Sequence, residues 1–184
     1  MRIPGVFRLI NSSMARNTAL ILLIFLLLSS CRDSQDKRHV VKPPGKTEMA
    51  DLNTYMVKKD RERIQNYIER KKLEMTETPT GLWYSITKEG TGEKFSDRDR
   101  IVMDYECTLL DGTPCYSSGE NGQKEIVLGR SELEPGLIEG LKLLRPGSDA
   151  IFILPPFLAY GLVGDRKKIP PRSILVYNVS VSRK

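Results

Sequence analysis

Seven tyrosines, three cysteines and one histidine are the side chains of this 184-residue chain from which chemistry would have to be built. The histidine, His39, lies in the polar stretch His39-Val40-Val41-Lys42-Pro43-Pro44-Gly45. A Ser-His-Asp triad, a Cys-His pair or a His-rich metal site would therefore have to borrow a residue from a linker, and no metal site and no cofactor is expected. No nucleophile stands beside a base. Gly90-Thr91-Gly92 is not followed by a Lys-Ser/Thr pair, so it is a loop rather than a phosphate cradle. What is left is Tyr among Leu and Ile segments, hydroxyl donors suited to a shallow apolar cleft.

These residues need a scaffold. From Ile101 to Leu109 one parity gives Met103, Tyr105, Cys107 and Leu109 and the other Asp104, Glu106 and Thr108, a strand with one buried face. Leu110-Asp111-Gly112-Thr113 signals a turn, after which come a short segment around Cys115-Tyr116-Ser117-Ser118 and a strand from Glu125 to Leu128. Pro135 to Leu144 is the apolar helical pattern of this half, with Leu133, Leu137, Leu141 and Leu144 on one side and Arg145-Pro146-Gly147 as the stop. Ala150 to Leu154 reads as a buried strand, and Leu175, Tyr177, Val179 and Val181 alternate inward along a last one. The pieces predict an α+β domain over 81–184, a curved antiparallel sheet wrapped on one short helix. Cys107 and Cys115 fall on neighbouring strands, either as a disulfide or, the preferred reading, as two buried thiols.

Upstream, residues 49–76 hold no Pro or Gly, and Leu52, Met56, Ile64, Tyr67 and Ile68 recur at near-helical spacing among many charges. This charged amphipathic helix reads as a spacer or homodimerisation surface, or as a helix lying against its own domain; the last is preferred. Residues 31–48 are polar and contain Pro43-Pro44-Gly45, a tether reaching at most about 60 Å. Residues 1–30 have Arg2, Arg8 and Arg16 before the apolar run Ala19–Leu28, which is too short for a stable span. Leu28-Ser29-Ser30-Cys31 resembles a bacterial lipobox, which implies signal cleavage before Cys31, lipidation of its thiol and stable membrane anchoring. The location expected is the cell envelope, facing the periplasm, with inner or outer membrane left open. Half of the net charge of +6 belongs to the three arginines of that signal, so nucleic acid is not an expected partner.

An ordered set of motifs then becomes visible. Lys88-Glu89-Gly90-Thr91-Gly92, Tyr105, Leu109-Leu110-Asp111-Gly112-Thr113, Ser117-Ser118, Gly136-Leu137-Ile138-Glu139-Gly140-Leu141, Pro146-Gly147, Leu158-Ala159-Tyr160-Gly161, Ile169-Pro170-Pro171 and Leu175-Val176-Tyr177 resemble those of the FKBP-type peptidyl-prolyl isomerases, over roughly residues 81–181. With the lipobox and the charged helix, the whole chain resembles the FKBP-type lipoproteins associated with gliding motility in bacteria. The resemblance implies an FKBP-like fold and prolyl isomerisation of proline-containing protein segments. It casts Tyr160 and Tyr105 as catalytic, the Tyr160 hydroxyl bonding a substrate carbonyl. It also places Cys115, Tyr116, Leu133, Glu134, Leu137, Ile169 and Tyr177 around the substrate, with Leu133, Glu134 and Ile169 at the rim. Leu137 stands where the family commonly has Trp, Tyr177 where it has Phe, and Cys115-Tyr116 where it has Phe-Asp. A non-catalytic proline-binding module or chaperone is the alternative reading of the same cleft.

Overall fold

The protein is described here by a computed structural model, which covers residues 45–184. The signal, Cys31 and nearly all of the tether lie outside the described residues. One antiparallel sheet contains β1 (Thr76–Glu77), β2 (Trp83–Lys88), β3 (Arg100–Leu109), β4 (Pro114–Ser117), β5 (Lys124–Val127), β6 (Asp149–Leu154) and β7 (Leu175–Arg183). Its order is β1-β2-β6-β7-β3-β4, with β5 also on β3. The α+β architecture read from the motifs is present.

Each face of the sheet is covered for a different reason. Helix α3 (Pro135–Leu143) lays Leu137, Leu141 and the adjoining Leu144 on one face, all at 0% exposure, against Phe152 and Leu154 of β6. Gly136 and Gly140, one turn apart, let the helix approach that closely: a Cβ on Gly140 would stand 2.8 Å from the Phe152 ring, and one on Gly136 2.8 Å from Leu154 Cγ. Glycine inside a helix costs roughly 1 kcal/mol relative to Ala, and the tight packing of α3 on β6 offsets that here. Pro135 occupies the first turn, where its missing N–H is no loss.

The opposite face receives α1 (Lys46–Lys71), whose Ile64, Tyr67 and Ile68 pack with Trp83, Ile151, Ile153, Ile174 and Val176. Asp60, also buried, accepts a hydrogen bond from Arg172 at 2.7 Å and ties the helix to the loop before β7. The helix thus lies against its own domain along its second half, while Met49, Leu52, Tyr55 and Val57 of the first half are exposed. Its bounds differ from the expected 49–76. It starts earlier, within the expected tether, because the Glu48 carboxylate accepts the Gly45 N–H at 2.9 Å. It ends earlier because Lys72 turns left-handed (φ 54) and its N–H and that of Leu73 close onto Glu69 and Ile68 carbonyls. Among the described residues no helix is long and apolar enough to cross a membrane.

Candidate active site

The site grows from a break in one strand's pairing. On the edge of β3 away from β7, β5 pairs with Arg100–Met103 and β4 with Glu106–Thr108, leaving Tyr105 between them. Its backbone N–H would be orphaned there. Ser118 fills the gap, its hydroxyl accepting that N–H at 3.2 Å, while Ser117 caps the single turn α2 (Ser118–Asn121) by accepting the Glu120 N–H. The Ser-Ser pair therefore repairs the ladder beside Tyr105 and lets the chain detour around its ring. Tyr105 lies 6.5 Å from Tyr177 between ring centroids, tilted by 39°. Lys124, first residue of β5, holds its ammonium 4.8 Å from the centre of the Tyr105 ring.

Glu134 departs most from expectation. Placed at the rim by resemblance, it is buried, only 6% exposed. As the N-cap residue of α3 it makes no side-chain cap; the carboxylate turns inward and accepts the Tyr177 hydroxyl at 2.7 Å. The positive end of the α3 dipole lies beside it and offsets part of the cost of burying the charge. The Tyr160 hydroxyl, carried by the chain just after the Pro156–Leu158 turn, is within reach of the same carboxylate. Burial first, then Glu134, push the Tyr160 hydroxyl well above the usual phenol range, and burial and Glu134 do the same to Tyr177. Both phenols therefore stay protonated donors at any physiological pH.

The loop that follows Tyr160 supplies a carboxylate that sequence reasoning missed. Asp165 accepts the Tyr116 hydroxyl through Oδ2 and the N–H groups of Lys167 and Ile169 through Oδ1, both at 2.8 Å. Burial alone would raise its carboxyl pKa, but these hydrogen bonds hold it below the usual range. Position 116, where the resemblance implies Asp, thus holds a phenol that donates to Asp165. Lys168 lies over the Tyr116 ring at 5.4 Å and pairs with Glu120 at 2.9 Å.

The remaining expected site residues sit lower. Leu137, Ile169, Cys115 and Tyr177 are almost wholly enclosed in the core beneath the cleft, and Leu133 is half-buried beside it. Cys107 and Cys115 are free thiols, and burial pushes the Cys107 thiol up to about 12. Neither is an ionised nucleophile at neutral pH. The open surface has two hollows that share Lys124 and Tyr160. One is bounded by Glu132, Leu133, Glu134, Pro135 and Ala159, the other by Tyr105, Tyr116, Asn121, Asp165 and Lys167. The cleft is therefore more polar than the expected ring of Tyr, Leu and Ile, because Lys124 and Asp165 are delivered to it by β5 and by a loop.

Such a site can hold an extended segment and present fixed hydroxyl donors to its carbonyls. Comparison with known proteins agrees. A probable FKBP-type peptidyl-prolyl cis-trans isomerase, FkpA, of Neisseria meningitidis serogroup B is 39% identical over 104 residues, 56% of this chain. The match covers only 38% of that relative's length, so the chain aligns with well under half of it. The solved structure of the N-terminal domain of FKBP42 from Arabidopsis thaliana superposes with a TM-score of 0.56 and 26% identity, over 60% of this chain and 92% of that one. The structure of FkpA from Escherichia coli covers 96% of this chain and 97% of its own at a TM-score of 0.58, a likeness of fold at 24% identity. The family model described as FKBP-type peptidyl-prolyl cis-trans isomerase matches residues 91–182, half of the sequence, and takes in every one of the tyrosines assembled around the cleft: the chain belongs to that family.

Proposed function

We propose that the protein is a membrane-anchored peptidyl-prolyl cis-trans isomerase that assists the folding of exported or envelope proteins, including those of a gliding-motility apparatus. The observation that carries the activity is the pair of protonated phenols, Tyr160 and Tyr105, packed on the apolar core that contains Leu137. Rotation about an X-Pro amide loses resonance, which underlies a barrier of about 18–20 kcal/mol. A twisted amide is less charge-separated than a planar one. An apolar floor therefore favours it over the ground state, and hydroxyls that grip the flanking carbonyls bind the twisted form more tightly. No proton need move, so a site without a nucleophile and base suffices.

The anchor rests on the resemblance of Leu28-Ser29-Ser30-Cys31 to a lipobox, and the envelope location follows from it. The full chain, purified in detergent, should accelerate cis-trans exchange of proline tetrapeptides as read by NMR exchange spectroscopy. If the peptides bind but exchange no faster than in buffer, the protein is a proline-segment-binding module and not an isomerase.

A further inference from the structure

The two hollows of the cleft differ in the sign of their charge, and Lys124 is the boundary. On the Pro135 side stand Glu132 and the buried Glu134. On the other side, a hollow of about 410 Å³, the titratable groups are Tyr105, Tyr116, Tyr160, Lys124, Lys167 and Asp165. Asp165 has both oxygens occupied by the Tyr116 hydroxyl and two backbone N–H groups. Glu120, which approaches from α2, is engaged by Lys168. Lys124 itself belongs to no ion pair among the described residues and rests on the face of the Tyr105 ring. The hollow beside two candidate catalytic phenols is therefore rich in donors and has its one carboxylate already satisfied.

We propose that Lys124 makes this cleft selective for proline segments that carry Asp or Glu next to the proline, the acidic side chain entering the Asn121–Lys167 side and pairing with the Lys124 ammonium. The proposal deepens the isomerase reading and rests on it. An ammonium that already rests on a ring face is held in place, so pairing it costs less ordering than pairing a free surface lysine. Glu132 and Glu134 repel the same side chain from the opposite hollow, which fixes the side on which it binds.

The experiment compares catalytic efficiencies on capped peptides that differ only in Glu or Gln directly before, or directly after, the proline. With the full-length protein at low salt, Glu should be preferred by about three- to fivefold in at least one of the two positions, the scale of a partly screened ion pair. The preference should fall toward unity in 1 M salt, where the screening length is about 3 Å. Lys124→Gln should bring the Glu-to-Gln ratio close to one, and Lys124→Arg should retain it. The ratio is internal to each variant and so is insensitive to a general loss of rate. A ratio of one in the wild type at low salt, or an unchanged ratio in Lys124→Gln, overturns the proposal. If Lys124→Gln does not fold, the wild-type salt dependence decides alone. Failure to turn over any of the peptides instead overturns the isomerase reading.

Discussion

Tyr160 has one hydroxyl proton and two claimants for it, the Glu134 carboxylate and an incoming substrate carbonyl. Tyr177 already donates to Glu134 at 2.7 Å, which leaves that carboxylate partly satisfied and lowers its demand on Tyr160. Tyr160→Phe removes the donor and keeps the ring, so catalytic efficiency should fall by one to two decades, about 1–3 kcal/mol of transition-state stabilisation. The melting temperature should move little. An active variant with wild-type efficiency would show that the phenol only packs. Little of this was legible in the sequence. Tyr105 and Tyr160 stood out by type and by their place among ordered motifs, but whether Glu134 caps its helix or turns inward depends on a hydroxyl 43 residues away. Lys124 and Asp165 carried no local signal, since one sits at the start of a four-residue strand and the other in a loop.

The elements divide by how much local sequence dictates them. Helix α3 was legible because Pro135, the leucine spacing and Arg145-Pro146-Gly147 act within a few residues; β3 and β7 were legible because alternation over nine or ten residues cannot suit another structure. The one-turn α2 and the two-residue β1 were not, since each exists only through partners elsewhere in the chain. Helix α1 is the intermediate case: its stripe announced a helix, and only the apolar outer face of β6 and β7 explains what the stripe packs against. Ile64, 1% exposed, is the centre of that contact. Truncating it to Ala should cost about 2–4 kcal/mol, read as a lower denaturant midpoint at unchanged slope. A loss below roughly 0.5 kcal/mol, the range of ordinary surface substitutions, would mean that α1 does not rest on the sheet in solution.

At the scale of the whole molecule the proposed anchor on Cys31 would decide where the proposed isomerase works, so one thiol is the residue to test. Wild-type protein should incorporate labelled fatty acid and sediment with membranes, and Cys31→Ala should do neither while keeping its isomerase activity in solution. Equal labelling of both proteins would end the lipoprotein reading. Within the domain, β7 is the strand on which everything else depends: it lies between β6 and β3, which share no pairing of their own. Without it the sheet separates into two three-stranded fragments, β1-β2-β6 and β3-β4-β5, each with half a core. Its Val181 pairs with Met103 of β3, far back in the sequence, so the fold closes through non-local contacts. If the chain is exported from its amino end, as proposed, the sheet can close only once residues 175–183 have emerged, so its folding would fall to the far side of the membrane.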